Sequence, residues 1–442
     1  MKRIFTVGFF ALFAGFAFAG GVENKTNMST GYLRNPSRNA EAERPEAAFY
    51  NIAGTSFLND GLYFELGNQF IVKEYKNTLA TDALSALGIK KGESYNDETF
   101  VYLYPDADIV YKHGPFAVFG NFGIYAGGGT LDYSEGTAVT TLLFGSKAAT
   151  ALTAAATYGA AGDNTTAERY KTIGNGLLAI AKDHSLNVKS ITYGEQIGAS
   201  YNFMDMISVA AGVRFLEGTL SMGIESDGLK ALQSGTDEIS CEASAFGVSP
   251  VFGLHVRPIK TLDIALQYQM ATKMNYEISD VKGSLAGELG IKDGNEYRND
   301  LAHVINFGLG YRVIEPLYVS ASFNYYINSA VEFGSVLGEN EYDNSFEFAL
   351  GADYRFNELI SASLGLAYGK QGTDDENNSA FNPILDSFQF GGGVEINPIE
   401  NLSLILGAQY VKYFDSSYMD DMVDLSKNLF MFSLGASYRL PI

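Results

Sequence analysis

Apolar and polar side chains alternate with a period of two residues along most of the chain from Gly61 onward. Residues 361–368 show the alternation clearly, with apolar residues on one face and small residues predominating on the other. The first face consists of Ala362, Leu364, Leu366 and Tyr368. Because successive side chains of a strand point to opposite faces, this pattern predicts strands with one oily face and one small or polar face.

Short turns and longer polar segments alternate between these strands. The short turns lie at 112–115, 202–205, 257–260, 314–316, 356–358 and 397–400. The longer segments lie at about 76–98, 126–187, 225–241, 277–299, 333–341, 372–380 and 415–426. Together they predict about fourteen strands, at 61–75, 99–112, 115–125, 188–202, 206–224, 242–257, 260–276, 300–313, 317–332, 342–356, 359–371, 381–396, 401–414 and 427–440.

Short connections at one end of the strands and long loops at the other are typical of bacterial outer membrane barrels. No segment beyond residue 19 approaches the roughly 18 uninterrupted apolar residues of a membrane-spanning helix. We therefore predict an all-β fold, a transmembrane antiparallel β-barrel that occupies residues 61–442. The alternative is a soluble all-β protein such as a propeller or a sandwich, which does not need this regular alternation of connections.

The first residues resemble an export signal. Lys2 and Arg3 precede the apolar run 4–18, which ends at the small-x-small site Ala17-Phe18-Ala19. This arrangement predicts a signal peptide over residues 1–19 that is cleaved after Ala19. Because Gly20 follows the site instead of Cys, we do not expect a lipid anchor.

The composition fits a barrel better than a soluble enzyme. The chain has 48 Gly, 28 Tyr and 31 Phe but no Trp, and its formal net charge is −21. Tyr and Phe can form the aromatic girdles at the two membrane interfaces. The acidic charge argues against nucleic-acid binding, and a single cysteine, Cys241, excludes an intramolecular disulfide.

Two regions depart from the strand pattern. Residues 24–60 are polar and carry few strand signals, so we expect an irregular segment there. The long insertion 126–187 contains two Ala- and Leu-rich or amphipathic stretches, 137–158 and 166–182, that predict helices at the barrel mouth.

A short motif in the polar N-terminal segment resembles the FadL-type family of long-chain fatty acid and aromatic hydrocarbon transporters of the outer membrane. That family carries Tyr-Asn-Pro-Ala-Gly in its N-terminal plug, and the matching residues here are Tyr50, Asn51, Ala53 and Gly54. Ile52 stands where the family has proline. The motif also lies where the family has it, just before the first of about fourteen strands.

The resemblance implies how such a barrel works. Residues 20–60 would fold inside the lumen as a hatch, and hydrophobic ligands would bind within the barrel. In the family a kinked third strand leaves a lateral opening in the wall. Gly120 and Gly123 of the third strand are candidates for that kink, since glycine weakens strand pairing.

Cations on the inward-facing side of the strands are candidates for ligand binding. The alternation places Arg214 and Lys273 on the inward face, where either could bind a ligand carboxylate. The alternative is an internal salt-bridge network between hatch and wall, because acids share the inward parity. These acids are Asp106, Asp108, Glu347 and Asp353.

The sequence offers little sign of catalysis. The four histidines are scattered without metal-ligand spacing, and no nucleophile elbow or phosphate-binding loop occurs. We expect no cofactor, no metal and no enzymatic activity. An outer membrane lipase is one alternative, but His303 has the parity of lipid-facing residues.

These observations predict a monomeric, passive outer membrane transporter for hydrophobic small molecules, with long-chain fatty acids as the expected ligand. Ligand would bind in the plugged barrel and leave sideways into the membrane lipid. Two alternatives stay open: a general diffusion porin, and a barrel that binds partners in a secretion system.

The signal-peptide prediction can be tested directly. The protein isolated from the outer membrane fraction should begin at Gly20, because signal peptidase cuts after a small-x-small site. N-terminal sequencing or intact mass measurement checks this, and a protein that retained residues 1–19 would contradict it.

Overall fold

A computed structural model describes residues 22–442 except 234–235, 289, 337, 374–377 and 379–382. The described chain forms fourteen barrel strands, numbered β1 to β14 in chain order. They are β1 Gly61–Leu79; β2, in the pieces Ser94–Asp97, Phe100–Val101 and Pro105–His113; β3 Phe116–Tyr133; β4 Ser185–Phe203; β5 Ile207–Glu225; β6 Glu238–Ile259; β7 Leu262–Gln269, with Asn275–Lys282 beyond it; β8, as Glu296–Arg298 and His303–Ile314; β9 Leu317–Ile327; β10 Ser345–Arg355; β11 Ile360–Lys370; β12 Ser387–Ile399; β13 Leu402–Tyr413; and β14 Val423–Leu440.

Helices lie before β1 and in the long loops. The α-helices are α1 Thr30–Arg34, α2 Ala47–Tyr50, α3 Ala138–Ala160, α4 Asn164–Lys182, α5 Asp227–Leu232 and α6 Ser284–Glu288. Three short 3-10 helices cover Ile52–Phe57, Ser85–Leu87 and Asn328–Ala330. None of the helices in the described part of the chain is both long and apolar enough to cross a membrane.

The sheet closes on itself. Each strand pairs antiparallel with the next, and β14 returns to β1 in a register that runs from Leu62 opposite Leu440 to Leu79 opposite Val423. Closure removes the free strand edges that lipid could not hydrogen-bond. The predicted fold class, a transmembrane antiparallel barrel of about fourteen strands, is confirmed.

The oily face of the strands is the outer face. Leu66, Phe246 and Leu364 are each more than half exposed on the outside of the barrel, while the intervening residues point into the lumen. Each such side chain gains roughly 1.5–3 kcal/mol on leaving water. The outer face therefore fits the hydrocarbon layer of a membrane.

The inward-facing side chains divide the lumen into two zones. The half near the short turns, here called the polar zone, is lined by Glu65, Gln69, Asp108, Gln196, Arg214, Gln267, Asn306, Asn324, Glu347, Gln389 and Gln409. The half near the long loops, here called the apolar zone, is lined mainly by Leu131, Leu186, Val188, Met222, Ile224, Ile239, Ala243, Leu425 and Leu429, with the buried Lys73, Asn77 and Lys427 among them.

The segment before β1, here called the hatch (residues 22–60), fills the polar zone. Its α1 lies against β12 and β13, and the 3-10 helix 52–57 lies against β4 and β5. Ser29 begins α1 by accepting a hydrogen bond from the backbone N–H of Tyr32 at 3.1 Å, and Pro36 follows its end, where proline stops a helix. Nearly all hatch side chains are buried.

The insertion between β3 and β4 closes the apolar zone from the loop side. Thr137 caps the start of its α3, where the hydroxyls of Thr137 and Thr140 accept hydrogen bonds from each other's backbone N–H groups. Val139, Leu142 and Phe144 on the first turns of α3 are buried in the same apolar cluster as the lumen lining. α4 packs against α3, and the far ends of both helices are exposed.

The seventh strand differs from its predicted span of 260–276. β7 stops at Gln269, and the backbone changes parity where Met270 donates to Pro250 O and Ala271 donates to His303 Nδ1. Thr272 therefore turns inward and Lys273 turns outward. The prediction that Lys273 faces the lumen is wrong, because a single irregularity reverses every later position.

The second and third strands are longer than predicted. β2 starts at Ser94 instead of residue 99 and is interrupted twice, and β3 continues to Tyr133 instead of ending at 125. Parts of four predicted segments lie outside the described residues. They are the whole signal peptide 1–19, residues 20 and 21 of the hatch, the first two residues of the strand 381–396, and most of the loop 372–380.

Glycine in the wall permits close approach of the hatch at Gly308. A Cβ atom at that position would lie 2.3 Å from the backbone carbon of Asn39. We expect Gly308→Ala to lower the free energy of unfolding by about 1–3 kcal/mol, because hatch backbone would have to move. Denaturant titration measures the loss.

The matched control is Gly223→Ala in β5, where the nearest atom to an added Cβ is Ser240 Cβ at 3.7 Å. Equal stability of the two variants would contradict the close packing of hatch on wall.

Candidate functional site in the plugged lumen

The hatch motif is a compact turn fixed by Asn51. Its Oδ1 accepts from the backbone N–H of Gly54 at 3.2 Å, and its Nδ2 donates to Glu41 O at 2.9 Å. The same amide lies 2.7 Å from Nδ1 of His255 on β6. Gly54 cannot carry a side chain, since a Cβ would lie 2.3 Å from Glu41 O. Asn51 thus both shapes the hatch and attaches it to the wall.

Ile52, where the family signature has proline, has its own role. Its backbone N–H donates to Gln267 Oε1 on β7 at 3.0 Å, a bond that proline could not make. Its side chain is fully buried and packs on Gly253 of β6. The departure from the signature therefore adds an attachment between hatch and wall.

Tyr50 and Ala53 complete the motif. The hydroxyl of Tyr50 donates to Thr26 O at 2.7 Å and accepts from the backbone N–H of Met28 at 2.8 Å. Its ring stacks on Tyr32, with ring centroids 6.1 Å apart, and Ala53 is completely buried. The motif therefore holds the first hatch residues in place.

Ion pairs fix the hatch at the short-turn end. Arg34 lies 3.2 Å from Glu395 of β12 and 3.9 Å from Asp353 of β10. Arg38 approaches Asp353 at 3.9 Å and Glu46 at 3.6 Å. The network expected between hatch and wall is thus present for Asp353, but its cations come from the hatch and not from the strands.

The other acids named from the sequence have neutral or hatch partners. Glu347 accepts from the hydroxyl of Tyr32 at 3.2 Å. Asp108 accepts from Asn121 Nδ2 on β3 at 2.8 Å, and the carboxylate of Asp106 adjoins Thr30 and Gly67. Asp106 and Asp108 lie on β2 beside the third strand, whereas Glu347 lies on β10, between β9 and β11.

Arg214 lies in the middle of the lumen and is fully buried. Its guanidinium donates to Ser249 Oγ, Gln269 Oε1, Met270 O and Thr272 Oγ1 at 2.8–3.3 Å, and it stands 5.5 Å from the ring centroid of Tyr125. Within the described residues no carboxylate lies within 4.0 Å of it. A buried cation held by neutral acceptors is a ready site for an anionic group.

A small cavity adjoins Arg214. The volume of this cavity is about 20 Å³, which is room for about one water molecule. Its lining includes Tyr32, Phe49, Tyr50, Tyr125, Arg214 and Tyr326. A larger molecule can occupy this place only if the hatch moves. Lys273, the other candidate, lies outside this site.

The irregularity of the third strand lies further along than predicted. Gly120 and Gly123 pair regularly with Ile197 and Gly194 of β4. The register shifts instead between Ile124 and Ala126, and again between Gly127 and Gly129. Gly127 and Gly128 have φ angles of 67° and 119°, which favour glycine. The kink therefore lies several residues beyond the predicted Gly120 and Gly123, but Gly123 is the first residue of β3 beyond its backbone pairing with β2 and so borders the predicted lateral opening.

A gap in the wall, here called the wall gap, separates residues 98–104 of the second strand from residues 123–131 of β3. In the described chain, backbone pairing between β2 and β3 ends at Ala107 opposite Phe122. Side chains instead form hydrogen bonds with the backbone of β3 that β2 leaves unpaired. Lys73 Nζ and Thr99 Oγ1 donate to Thr130 O. Asp97 Oδ1 accepts from Asp132 N at 3.3 Å, and the hydroxyl of Tyr104 donates to Ile124 O at 3.3 Å.

The hatch covers the wall gap from inside. The backbone N–H of Lys25 donates to Tyr125 O at 3.1 Å, and the side chain of Met28 packs on Gly123. Hatch and third strand are therefore in contact despite the missing proline. The sequence signal for the gap was the run Gly127-Gly128-Gly129, whereas nothing in the local pattern pointed to Tyr104, Lys73 or Asp97.

The histidines have structural surroundings. His303 Nδ1 accepts from Ala271 N at 3.1 Å and lies 2.8 Å from the hydroxyl of Tyr268. His255 Nε2 lies 2.9 Å from Asp263, beside the hatch. In the part of the chain that the structure describes, no three His, Cys, Asp or Glu side chains are grouped so that they could hold a metal ion.

Comparison with known proteins identifies the architecture. No family model matches the chain. Outer membrane protein X of Enterobacter cloacae is 33% identical over 123 residues, which cover 25% of this chain and 69% of that protein. This likeness and the solved barrels place the chain in the outer membrane.

Three solved structures have the same fold at 15% identity. A FadL homologue of Pseudomonas aeruginosa superposes with a TM-score of 0.62 over 96% of this chain and 99% of its own. The toluene transporter TodX of Pseudomonas putida gives 0.61 over 96% and 100%, and the toluene transporter TbuX of Ralstonia pickettii gives 0.56 over 92% and 98%. This likeness shows that the chain has the fold of the FadL-type channels.

The insertion that closes the apolar zone contains a titratable contact. His184 Nε2 lies 2.6 Å from Thr140 Oγ1 of α3, and burial lowers the pKa of His184 from 6.5 to about 4. The unfolded insertion therefore binds more protons than the docked one between these values. Docking should weaken as pH falls from about 6.5 and lose this contribution fully below about 4.

Limited proteolysis of the insertion at several pH values measures this effect. The wild-type chain should be cleaved faster at pH 4.5 than at pH 7, and His184→Gln should remove much of the difference. A variant with the same pH dependence as the wild type would contradict the assignment.

Proposed function

The chain belongs to the outer membrane β-barrel proteins and has the FadL-type fold, and from that premise we propose that it passively carries hydrophobic small molecules across the outer membrane. The observation that carries the proposal is a plugged lumen with a buried cation at its centre and a gap in its wall. Because the hatch fills the polar zone, no continuous column of water runs through the lumen. The lumen therefore suits hydrophobic molecules, which do not need a water-filled pore.

The first step uses the apolar zone. Its lining and the buried turns of α3 form one apolar cluster, so a hydrophobic molecule gains roughly 25 cal/mol for each Å² of its surface that leaves water there. The insertion would have to shift to admit the molecule. This step concentrates the ligand above the hatch.

The second step places the ligand beside Arg214. The cavity there is too small for more than water while Lys25 and Tyr50 hold their positions, so the hatch would move as the ligand arrives. A monocarboxylate could then bind the guanidinium, and hydrogen bonds to charged groups contribute about 1.5–3 kcal/mol each. Long-chain fatty acids combine this head group with an apolar tail and are the preferred ligand class.

The third step is lateral release. The wall gap lies beside Tyr125, whose ring is 5.5 Å from the guanidinium carbon of Arg214. A molecule displaced from the central site can thus reach membrane lipid without crossing the ion pairs at the short-turn end. No energy source is needed for such movement down a gradient.

Aromatic hydrocarbons are the second candidate ligand class. Five aromatic rings line the cavity, those of Tyr32, Phe49, Tyr50, Tyr125 and Tyr326, and offer stacking partners. Two of the solved neighbours are toluene transporters. Such ligands lack a carboxylate and would not depend on Arg214. Dependence on Arg214 therefore distinguishes the two classes.

The rival functions fit the geometry less well. A general porin needs an open lumen, whereas here the hatch occupies the polar zone. A secretion component or a lipase would need, respectively, a partner surface or a nucleophile beside a base, and the described residues offer no observation that favours either one.

The test is mass spectrometry of organic molecules retained by the protein after mild detergent purification. Fatty acid at about one molecule per barrel is expected in the wild type. Arg214→Met should lower fatty acid affinity about tenfold or more, the effect of losing one or two charge-assisted hydrogen bonds.

Lys273→Met is the matched control, because Lys273 is exposed outside the lumen, and it should retain the ligand. Arg214→Lys tests whether charge alone is sufficient should Arg214→Met fold poorly. Equal retention by the wild type and both Arg214 variants would contradict the carboxylate site and favour the aromatic class, and an empty wild-type barrel would contradict the transporter proposal.

A further inference from the structure

Tyr104 crosses the wall gap at the end where the gap begins, beside Ile124. It lies between two pieces of β2, and its side chain is buried with 1% exposure, whereas the preceding Tyr102 and Leu103 are 73% and 70% exposed on the lipid side. The chain thus presents two apolar side chains to the membrane and one aromatic side chain to the gap.

The backbone and the ring of Tyr104 are attached to different strands. Its backbone N–H donates to Asn68 Oδ1 at 2.9 Å, and its carbonyl accepts from Gln69 N at 3.0 Å, both on β1. Its hydroxyl alone reaches β3, where it donates to Ile124 O at 3.3 Å. Rotation of this one side chain would therefore open the end of the gap at Ile124, while the backbone of both strands and the bonds of Lys73, Thr99 and Asp97 further along stay in place.

Rotation of Tyr104 costs less free energy than separation of two paired strands. It breaks the long hydrogen bond to Ile124 O and a side-chain interaction with Asn27, each of which contributes about 0.5–1.5 kcal/mol, and no backbone ladder pair joins the two strands there in the described residues. Rotamer changes are also fast relative to collective motions of strands.

The hatch is connected to Tyr104 through Gln69. The backbone N–H of Gln69 donates to Tyr104 O, and its side-chain amide donates to Asn27 O at 2.7 Å and accepts from Asn27 Nδ2 at 3.0 Å. Next to Asn27, Met28 covers Gly123 on the lumen side of the gap. Movement of these hatch residues removes the support behind the ring.

We propose that Tyr104 is the gate of the wall gap: its ring closes the gap toward lipid while Asn27 and Met28 are docked, and its rotation sets the width available to a leaving molecule. This inference rests on the proposed lateral release and names the residue that controls it. Outside the gate, the ring centroid of Phe100 lies 4.3 Å from the ring centroid of Tyr102 and 6.3 Å from that of Phe432. These rings give the leaving molecule an aromatic surface.

The test measures access to the hatch from the bilayer and does not depend on transport. Met28→Cys in a Cys241→Ala background provides a single thiol behind the gate. In proteoliposomes, a lipid-soluble pyrene maleimide should label it slowly when residue 104 is tyrosine. Tyr104→Ala should speed labelling about tenfold, which corresponds to a barrier lowered by about 1.4 kcal/mol.

Two further variants define the result. Tyr104→Phe keeps the ring and loses the hydroxyl, so it should label at an intermediate rate. Tyr111→Ala, a lipid-facing residue of the same strand with 45% exposure, is the matched control and should label at the wild-type rate. A sulfonated, membrane-impermeant maleimide added outside should react no faster with any of them.

The outcomes separate the gate from the proposed function. Equal pyrene labelling of all variants, or faster labelling by the impermeant reagent as well, would overturn the gate, because the first shows no opening and the second shows a general loosening of the lumen. Uptake of a fatty acid by cells that express the wild-type chain is measured separately. Faster pyrene labelling of Tyr104→Ala without any uptake would support the gate and sink the transport proposal.

Discussion

The fit between a polar N-terminal segment and a polar inner wall is the interaction on which the rest of this structure depends. Charged and amide groups of the hatch are buried inside a barrel that lies in lipid, and a buried polar group without a partner costs about 1–3 kcal/mol. Glu46 shows the solution: it is completely buried, accepts a hydrogen bond from Ser29 and lies within ion-pair distance of Arg38 and Arg44. Removing one member of such a network commonly costs about 3–5 kcal/mol.

A second constraint acts on the wall itself. Lipid cannot hydrogen-bond a strand edge, so an interrupted strand must find other partners. Along the wall gap those partners are the side chains of Lys73, Asp97 and Tyr104 and the hatch backbone at Lys25. The side chains and the hatch can move without unzipping the barrel. The side chains and hatch residues that complete the wall at the wall gap are therefore also what allows the wall to open there.

The sequence predicted the architecture well because barrel physics is periodic. Alternation along residues 361–368 and the spacing of short turns depend only on side-chain direction and chain length, so strand number and class followed. The motif around Asn51 placed the hatch before β1. Arg214 kept its predicted inward direction, since β5 is regular from Ile207 to Glu225.

The sequence could not locate the irregularities, where tertiary contacts override the period. Lys273 was assigned to the wrong face because the break after Gln269 depends on bonds to Pro250 and His303. The kink was placed at Gly120 and Gly123 because glycine is frequent in every strand, whereas the positive φ angles occur at Gly127 and Gly128. The proposed role of Tyr104 as a gate depends on contacts with β1, β3 and the hatch as well as on its place in β2. The residues near Tyr104 in the sequence do not indicate these contacts.

The most direct test of this account is the ion conductance of the wild-type protein in planar lipid bilayers. A lumen that is filled by the hatch should show a closed baseline with at most brief openings at moderate voltage. A steady, ohmic conductance typical of an open water-filled pore would contradict the plugged lumen, and with it the lateral route for hydrophobic molecules.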